Sequence, residues 1–264
     1  MNPALRAAAS GMIAQQTRTE VIANNLANVN TTGFKRSRAN FEDLLYQTVQ
    51  SSAVIGAPES QTAPAIQIGR GTRLAAVQRL HAQGTLEQTN RPLDVAIEGE
   101  GFFQIQLASG QLAYTRDGSF QVSDQGTLVT SEGYPVEPTI RIPTDAAEVA
   151  ISRTGVVTVR RGGDASGAPQ EIGRLELARF ANPAGLLAMG ENLYTATPAS
   201  GDAVVGFPQD DGMGRLVQGS LEGSNVEIVQ EMVDMITAMR AYEINSKAIK
   251  NSEDMLEIAN NLVR

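Results

Sequence analysis

Residues 224–264 read SNVEIVQEMVDMITAMRAYEINSKAIKNSEDMLEIANNLVR. Every seventh residue from Ile228 is Met235, Tyr242, Ile249, Leu256 and Val263, a run with no charged or amide side chain. A seven-residue repeat keeps one stripe of a helix facing a partner and favours a left-handed supercoil. Ser224-Asn225-Val226-Glu227 has the form of a capping box, in which Ser224 accepts from the Glu227 amide while Glu227 reaches back. The spacing predicts one unbroken helix over 225–263, roughly 59 Å long at about 1.5 Å per residue. A second apolar face carries Ile244, Ala248, Met255, Ile258 and Leu262, and Met232 and Met239 widen the first. A helix buried on two faces needs more than one neighbour.

The N-terminus repeats the pattern more weakly. Asn2-Pro3 is a cap followed by proline at the first helical position. Leu5, Met12, Thr19 and Leu26 fall at one heptad position, with Ala8, Gln15, Ile22 and Val29 at the other. Thr19 and Gln15 make this a poor self-sufficient coiled coil. The helix is expected to stop near Asn30-Thr31-Thr32-Gly33, where glycine takes the left-handed conformation that closes helices. Residues 1–50 carry five basic and three acidic side chains, and residues 224–264 carry four basic and seven acidic. Opposite signs favour pairing of the ends, but exposed ion pairs add only about 0–1 kcal/mol each, so apolar packing must do most of it. The expectation is a helical core domain made of 1–34 with 224–264, the two ends pairing as a coiled coil and completing their burial on other copies of the chain.

Between them the period changes to two. Val95-Ala96-Ile97, Phe102–Leu107, Ala113–Arg116, Ser119–Val122, Thr127–Thr130, 148–151, 156–159 and 172–180 read as short strands separated by turn residues. Asp117-Gly118 between two of them is a strong hairpin signal. The fold expected is therefore mainly β with long α-helical termini: an antiparallel, sandwich- or barrel-like outer domain over 91–223, and a connecting segment over 35–90. Within that segment, 46–67 is small and polar with Pro58 and Pro64, and reads as extended or loop-like.

The chemistry left open is narrow. The 264 residues carry a formal charge of −8, opposite in sign to a phosphate-binding surface, so no nucleic-acid partner is expected. Without cysteine there are no disulfides, thiolate metal sites or cysteine nucleophiles, and a single histidine, His81, excludes multi-histidine metal sites. No stretch reaches the 18 or so apolar residues of a membrane-spanning helix, and residues 1–16 do not read as a cleaved signal peptide. Gly99-Glu100-Gly101 lacks the third glycine of a dinucleotide fingerprint, and Asp210-Asp211-Gly212 lacks the carboxylate spacing of a calcium loop. No catalytic constellation, metal site or cofactor site is expected.

Four blocks carry a resemblance. Ile22-Ala23-Asn24-Asn25-Leu26-Ala27-Asn28-Val29-Asn30-Thr31-Thr32-Gly33-Phe34-Lys35, Leu93–Phe103, Tyr114–Phe120 and Met239–Ala248 are similar to the signatures of the rod and hook axial proteins of the bacterial flagellum. Phe41-Glu42-Asp43-Leu44-Leu45-Tyr46-Gln47, the polar insert after it, Ser224-Asn225-Val226 and the length point to the distal-rod branch of that family. The resemblance implies a structural subunit that stacks helically into a hollow drive shaft, with terminal helices inside and β domains outside. Its partners would be further copies of itself, the proximal rod proteins, the hook protein or its junction, the rod cap, the surrounding P and L rings and the flagellar type III export apparatus. It would lie in the basal body, crossing the periplasm to the outer membrane, with no membrane insertion and no cleaved signal peptide. Asn24, Asn25 and Asn28 become candidates for hydrogen bonds between subunits. The insert, with Tyr46, Gln47, Pro58 and Pro64, would stiffen the rod. The alternatives are a proximal rod or hook subunit of the same family, or a soluble oligomeric β-domain binding protein.

Overall fold

The computed structural model describes residues 3–50, 53–55, 61–63, 65–161, 168–210 and 212–262, so Pro58, Pro64 and Val263 lie outside the described residues. The chain divides into two units. One comprises Met1–Ala27, Ser37–Gln78 and Glu227–Arg264, and the other Asn28–Arg36 with Arg79–Val226.

The first unit is built on two helices, α1 (Pro3–Ala27) and α2 (Ile228–Leu262). They run antiparallel. Asn25 Nδ2 donates to Glu231 Oε2 at 3.2 Å, Arg18 pairs with Asp234 at 3.2 Å, and Gly11 lies against Asn245. The residues of α2 that face α1 recur every seventh position, but the set is Glu231, Ala238, Asn245 and Ser252, of which all but Asn245 are fully buried. This seam sits three residues away from the Ile228 stripe and is made of small and polar side chains. Gly11 and Ala14 answer it from α1, and a Cβ at Gly11 would stand 2.9 Å from Asn245 Nδ2. Small residues on both sides set the close approach. The Arg18–Asp234 ion pair along the seam is partly exposed, at 40% and 23%, and contributes at most about 1 kcal/mol.

Two helix boundaries differ from expectation. α2 begins at Ile228, and the first helical bond runs from the Glu231 amide to the Glu227 carbonyl. Ser224 Oγ accepts from Val226 N–H at 3.3 Å, so the capping box does not form. Asn225 is occupied elsewhere: its side chain accepts from Arg36 N–H and donates to the Leu80 and Ala82 carbonyls. That ties 224–226 to irregular structure and delays the helix by three residues. α1 stops at Ala27, before Asn30. Gly33 does adopt a left-handed φ of +67°, but in a connection where a Cβ would stand 2.8 Å from the Asp117 amide nitrogen.

Residues 37–79 form a nested ribbon. β1 (Ser37–Asp43) pairs with β6 (Thr72–Arg79), β2 (Tyr46–Gln50) with β5 (Ile66–Gly69), and β3 (Ala53–Ile55) with β4 (Gln61–Ala63). The inner two pairs are antiparallel, with Tyr46 opposite Gly69, Gln47 opposite Ile68 and Val54 opposite Thr62. The 46–67 insert therefore supplies strands where the sequence reading left extended chain and loop both open. Tyr46, Thr48, Val49, Val54, Ile55, Thr62, Ile66 and Ile68 are the β-favouring residues that build it, while Ala57-Pro58-Glu59-Ser60 concentrates the breakers. The ribbon is anchored on α1, where Ser10 Oγ accepts from Thr72 N–H at 3.2 Å and Asn25 pairs with Ser37.

The second unit is a stack of open antiparallel sheets. Its largest sheet orders Leu187–Gly190, Leu193–Thr195, Leu112–Thr115, Phe102–Gln106, Leu177–Arg179 and Val204–Gly206, with Val136–Glu137 also on Phe102–Gln106. Ala146–Ile151, Val156–Arg161 and Gln170–Arg174 make a second sheet, and Val95–Glu98 pairs with Arg215–Gln218. Both faces of the large sheet are covered. Phe103 and Ile105 join Val95, Ile97, Phe120, Val136, Val157 and Leu216 in one core, while Phe102 joins Tyr114, Phe180, Leu186 and Tyr194 in another. No sheet closes on itself among the described residues, which leaves the barrel-like alternative unsupported.

Asp117-Gly118 is not the turn of a hairpin. Leu112–Thr115 instead turns back on Phe102–Gln106 through Gly110, whose φ is +79°, and its other neighbour is Leu193–Thr195. Asp117 Oδ1 caps the Ser119 amide at 3.0 Å, and the Gly118 carbonyl accepts from Val95 N–H at 3.0 Å. A Cβ at Gly118 would collide with the Val95 carbonyl, so the glycine serves close backbone approach between sheets.

Gly11→Leu should push the two helices apart. Overpacking costs about 1–3 kcal/mol. The expected outcome is a lower melting temperature followed at 222 nm, with the near-ultraviolet signal of the β unit unchanged below that transition.

Candidate assembly surface

With its small, polar seam on α1, α2 turns most of its large apolar residues to solvent. Ile228, Tyr242 and Leu256 of the heptad stripe are exposed by 46%, 43% and 50%, and Met235 and Ile249 are half-buried. Val229, Met232, Val233, Ile236, Met239, Ile244, Met255 and Ile258 are exposed beside them. On α1, Ile22 is buried, while Leu5, Met12, Leu26 and the following Val29 are half-buried. Gln16, Thr19, Glu20, Met239, Tyr242 and Glu243 line a groove of about 470 Å³ between the helices. Contiguous exposed apolar patches are a general feature of interaction faces.

The ribbon is similarly uncovered. Leu45, Tyr46, Val49, Ile66, Ile68, Leu74 and Val77 are all exposed, and so is Gln47. An isolated two-stranded ribbon is marginal in water and needs a third surface to pack on.

The three candidate asparagines separate. Asn24 is exposed and Asn28 half-buried, with Asn28 Oδ1 accepting from Thr31. Asn25 is buried within the chain. Its amide donates to the Ser37 carbonyl at 2.8 Å and its Oδ1 accepts from the Ser37 amide at 2.8 Å, fixing the start of β1 against α1.

A buried ionic cluster lies in the second unit. Glu222 Oε1 is 2.6 Å from Lys35 Nζ and accepts from the Gly84 amide at 2.9 Å, while Oε2 is 3.2 Å from Arg116. Lys35 also donates to the Ala82 carbonyl, and Arg116 to the Gly99 carbonyl. The Arg116 guanidinium lies 5.2 Å over the Phe102 ring. Burial holds Lys35 and Arg116 below their usual pKa values, with Glu222 opposing that fall. His81 stands edge-on to Phe102 and Tyr194, at 5.7 and 5.5 Å. Its imidazole is lowered to about 4 by burial first, and then by Lys35, Arg116 and Arg79. Four passes of the chain, at 33–36, 80–84, 116 and 222–225, are bound together here by one carboxylate and one asparagine. The cluster sets position. It holds no nucleophile with an adjacent base, and no group of three or more metal-ligating side chains occurs among the described residues.

Lys35 and Arg116 belong to sequence blocks singled out above, but their pairing was not legible. Glu222 had no signal beyond that of an ordinary acidic residue, and Asn225 stood out only within the Ser224-Asn225-Val226 motif and as part of a helix cap, since only the fold brings these distant segments together.

Three family descriptions match the chain: "Flagella basal body rod protein" over 5–35, "Flagellar hook protein FlgE/F/G D1 domain" over 96–159, and "Flagellar basal body rod FlgEFG protein C-terminal" over 217–262. They cover both terminal segments and part of the β unit, and they define the class as an axial protein of the flagellum. The chain is 54% identical to the flagellar basal-body rod protein FlgG of Borreliella burgdorferi over the full length of both. It is 51% identical to that of Agrobacterium fabrum over 97% of each, and 42% identical to that of Bacillus subtilis over 97% of each. The chain belongs to the flagellar basal-body rod protein family and is a structural subunit of the flagellar distal rod.

Glu222→Gln leaves two buried cations without their counterion and should cost about 3–5 kcal/mol, read from urea unfolding. His81 predicts a pH dependence. Above about pH 6.5 its imidazole is neutral in both states, whereas between about 6.5 and 4 only the unfolded chain takes up the proton. Stability should therefore fall by up to about 3 kcal/mol as pH drops through that window, and His81→Phe should flatten this part of the profile.

Proposed function

We propose that the subunit polymerises into a hollow helical shaft through its terminal helices, which pair as a coiled coil within the chain and then pack on those of neighbouring copies. The observation that carries this reading is the placement of the α2 heptads. The small, polar one meets α1, and much of the large apolar one is left uncovered. Five of the residues proposed for the subunit interface on this ground, Ile228, Met235, Tyr242, Ile249 and Leu256, form that stripe, and Val263 continues its spacing in the sequence. Leu5, Met12, Ile22, Leu26 and Val29 contribute from the N-terminal side, and Asn24 and Asn28 supply polar contacts. The protein acts by assembly, transmitting torque from the motor to the hook, and not by catalysis.

The other partners are those of the family's axial structure: the proximal rod below, the hook or its junction above, the rod cap at the growing tip, and the P and L rings around the shaft. The subunit reaches its place through the flagellar type III export apparatus and comes to lie in the basal body between the cell envelope membranes. The ribbon of β1–β6 contacts neighbouring copies and stiffens the shaft. Its exposed apolar residues, and its pairing in two-stranded sheets among the described residues, support that role.

Deleting 46–67 should leave polymerisation intact but yield tubes that curve or flex in electron micrographs. Straight tubes from the deletion would refute the stiffening role.

A further inference from the structure

We propose that Met232 and Met239 on α2 are oxidation sites, and that their conversion to sulfoxides blocks assembly of the free subunit. The inference rests on the reading of α2 as the polymer interface. Sequence and structure supply the rest. The chain has neither cysteine nor tryptophan, so two-electron oxidants find their most reactive side chains in its eight methionines. Four of these lie on α2. Met232 and Met239 stand seven residues apart on one face, both about half-exposed, among Val229, Val233, Ile236 and Tyr242. Met239 also lines the 470 Å³ groove with Tyr242. Met255 is exposed further along, Met189 is exposed in the β unit, and Met213 is 93% buried in its core.

The oxidant is a peroxide. The thioether sulfur attacks the terminal peroxide oxygen, the O–O bond breaks, an S–O bond forms and water or an alcohol leaves. Sulfur loses two electrons and the peroxide gains them. Each sulfoxide places a polar acceptor on a stripe that must otherwise be dry. Return to the thioether takes two electrons and two protons from a thiol reductant, by way of a methionine sulfoxide reductase, and releases the oxygen as water. Once the subunit is in the polymer, the same side chains are covered, so the vulnerable interval is that between export and incorporation.

The test uses the full chain and hydrogen peroxide. Peptide mass spectrometry should find Met232 and Met239 oxidised at least about tenfold faster than Met213. The oxidised subunit should keep its helical signal at 222 nm but need about tenfold or more protein to form tubes, read by sedimentation and electron microscopy. Met232→Leu with Met239→Leu should polymerise and resist peroxide. Oxidised chains that assemble at the unoxidised concentration would overturn the inference alone. So would loss of helix on oxidation, or a doubly substituted chain as peroxide-sensitive as the parent. Met232 and Met239 reacting as fast in sedimented tubes as in free subunits would overturn the interface reading as well.

Discussion

One helix can cover only one face of its partner, and the terminal helices of this chain depend on that geometry. α2 meets α1 through Glu231, Ala238, Asn245 and Ser252, residues small or polar enough to let Gly11 and Ala14 come close. A seam of that composition buries little apolar area, and burial at about 25 cal/mol per Å² is what stabilises helices lacking strong intrinsic propensity. The chain thus pairs its ends through small and polar side chains and leaves the larger apolar side chains of α2 exposed. Had Ile228, Tyr242 and Leu256 met α1 instead, the hairpin of helices would be a more complete fold with less left to recruit a neighbour.

The β unit follows the opposite logic. Both faces of its largest sheet are filled, by Phe103 and Ile105 on one side and Phe102, Tyr114 and Tyr194 on the other. The ionic cluster on Glu222 then fixes how four separate passes of the chain run through that unit. Buried charges are costly to desolvate, so such a cluster is better suited to specifying one arrangement than to adding stability. Lys35 answers it from just beyond the N-terminal helix, and Asn225 reinforces it just ahead of α2. The segments flanking both helices are in this way held to defined backbone positions.

The long C-terminal helix, the β character of 91–223 and the axial-family resemblance were legible because each rests on local periodicity or contiguous motifs. The helix start was not. Ser224-Asn225-Val226-Glu227 satisfies the local rule, but Asn225 has stronger partners in Leu80 and Ala82, far away in sequence. Asp117-Gly118 misled for a related reason: a tight turn and a close crossing both require glycine, and only the Val95 carbonyl distinguishes them. The heptad over Ile228–Leu256 was visible as a stripe, yet its direction was not, because period alone does not say which neighbour it faces. Asn25 stood out in its motif, but its role emerged only with Ser37 in place.

Electron microscopy of the concentrated protein, set beside Ile228→Asp with Tyr242→Asp, bears most directly on the central claim. Both side chains are a little under half exposed in the single chain, and helical content at 222 nm checks that the substituted chain keeps its fold. The account predicts tubes from the parent and only monomers from the doubly substituted chain, with equal helical content. Tubes of the same form and at the same concentration from both would contradict it.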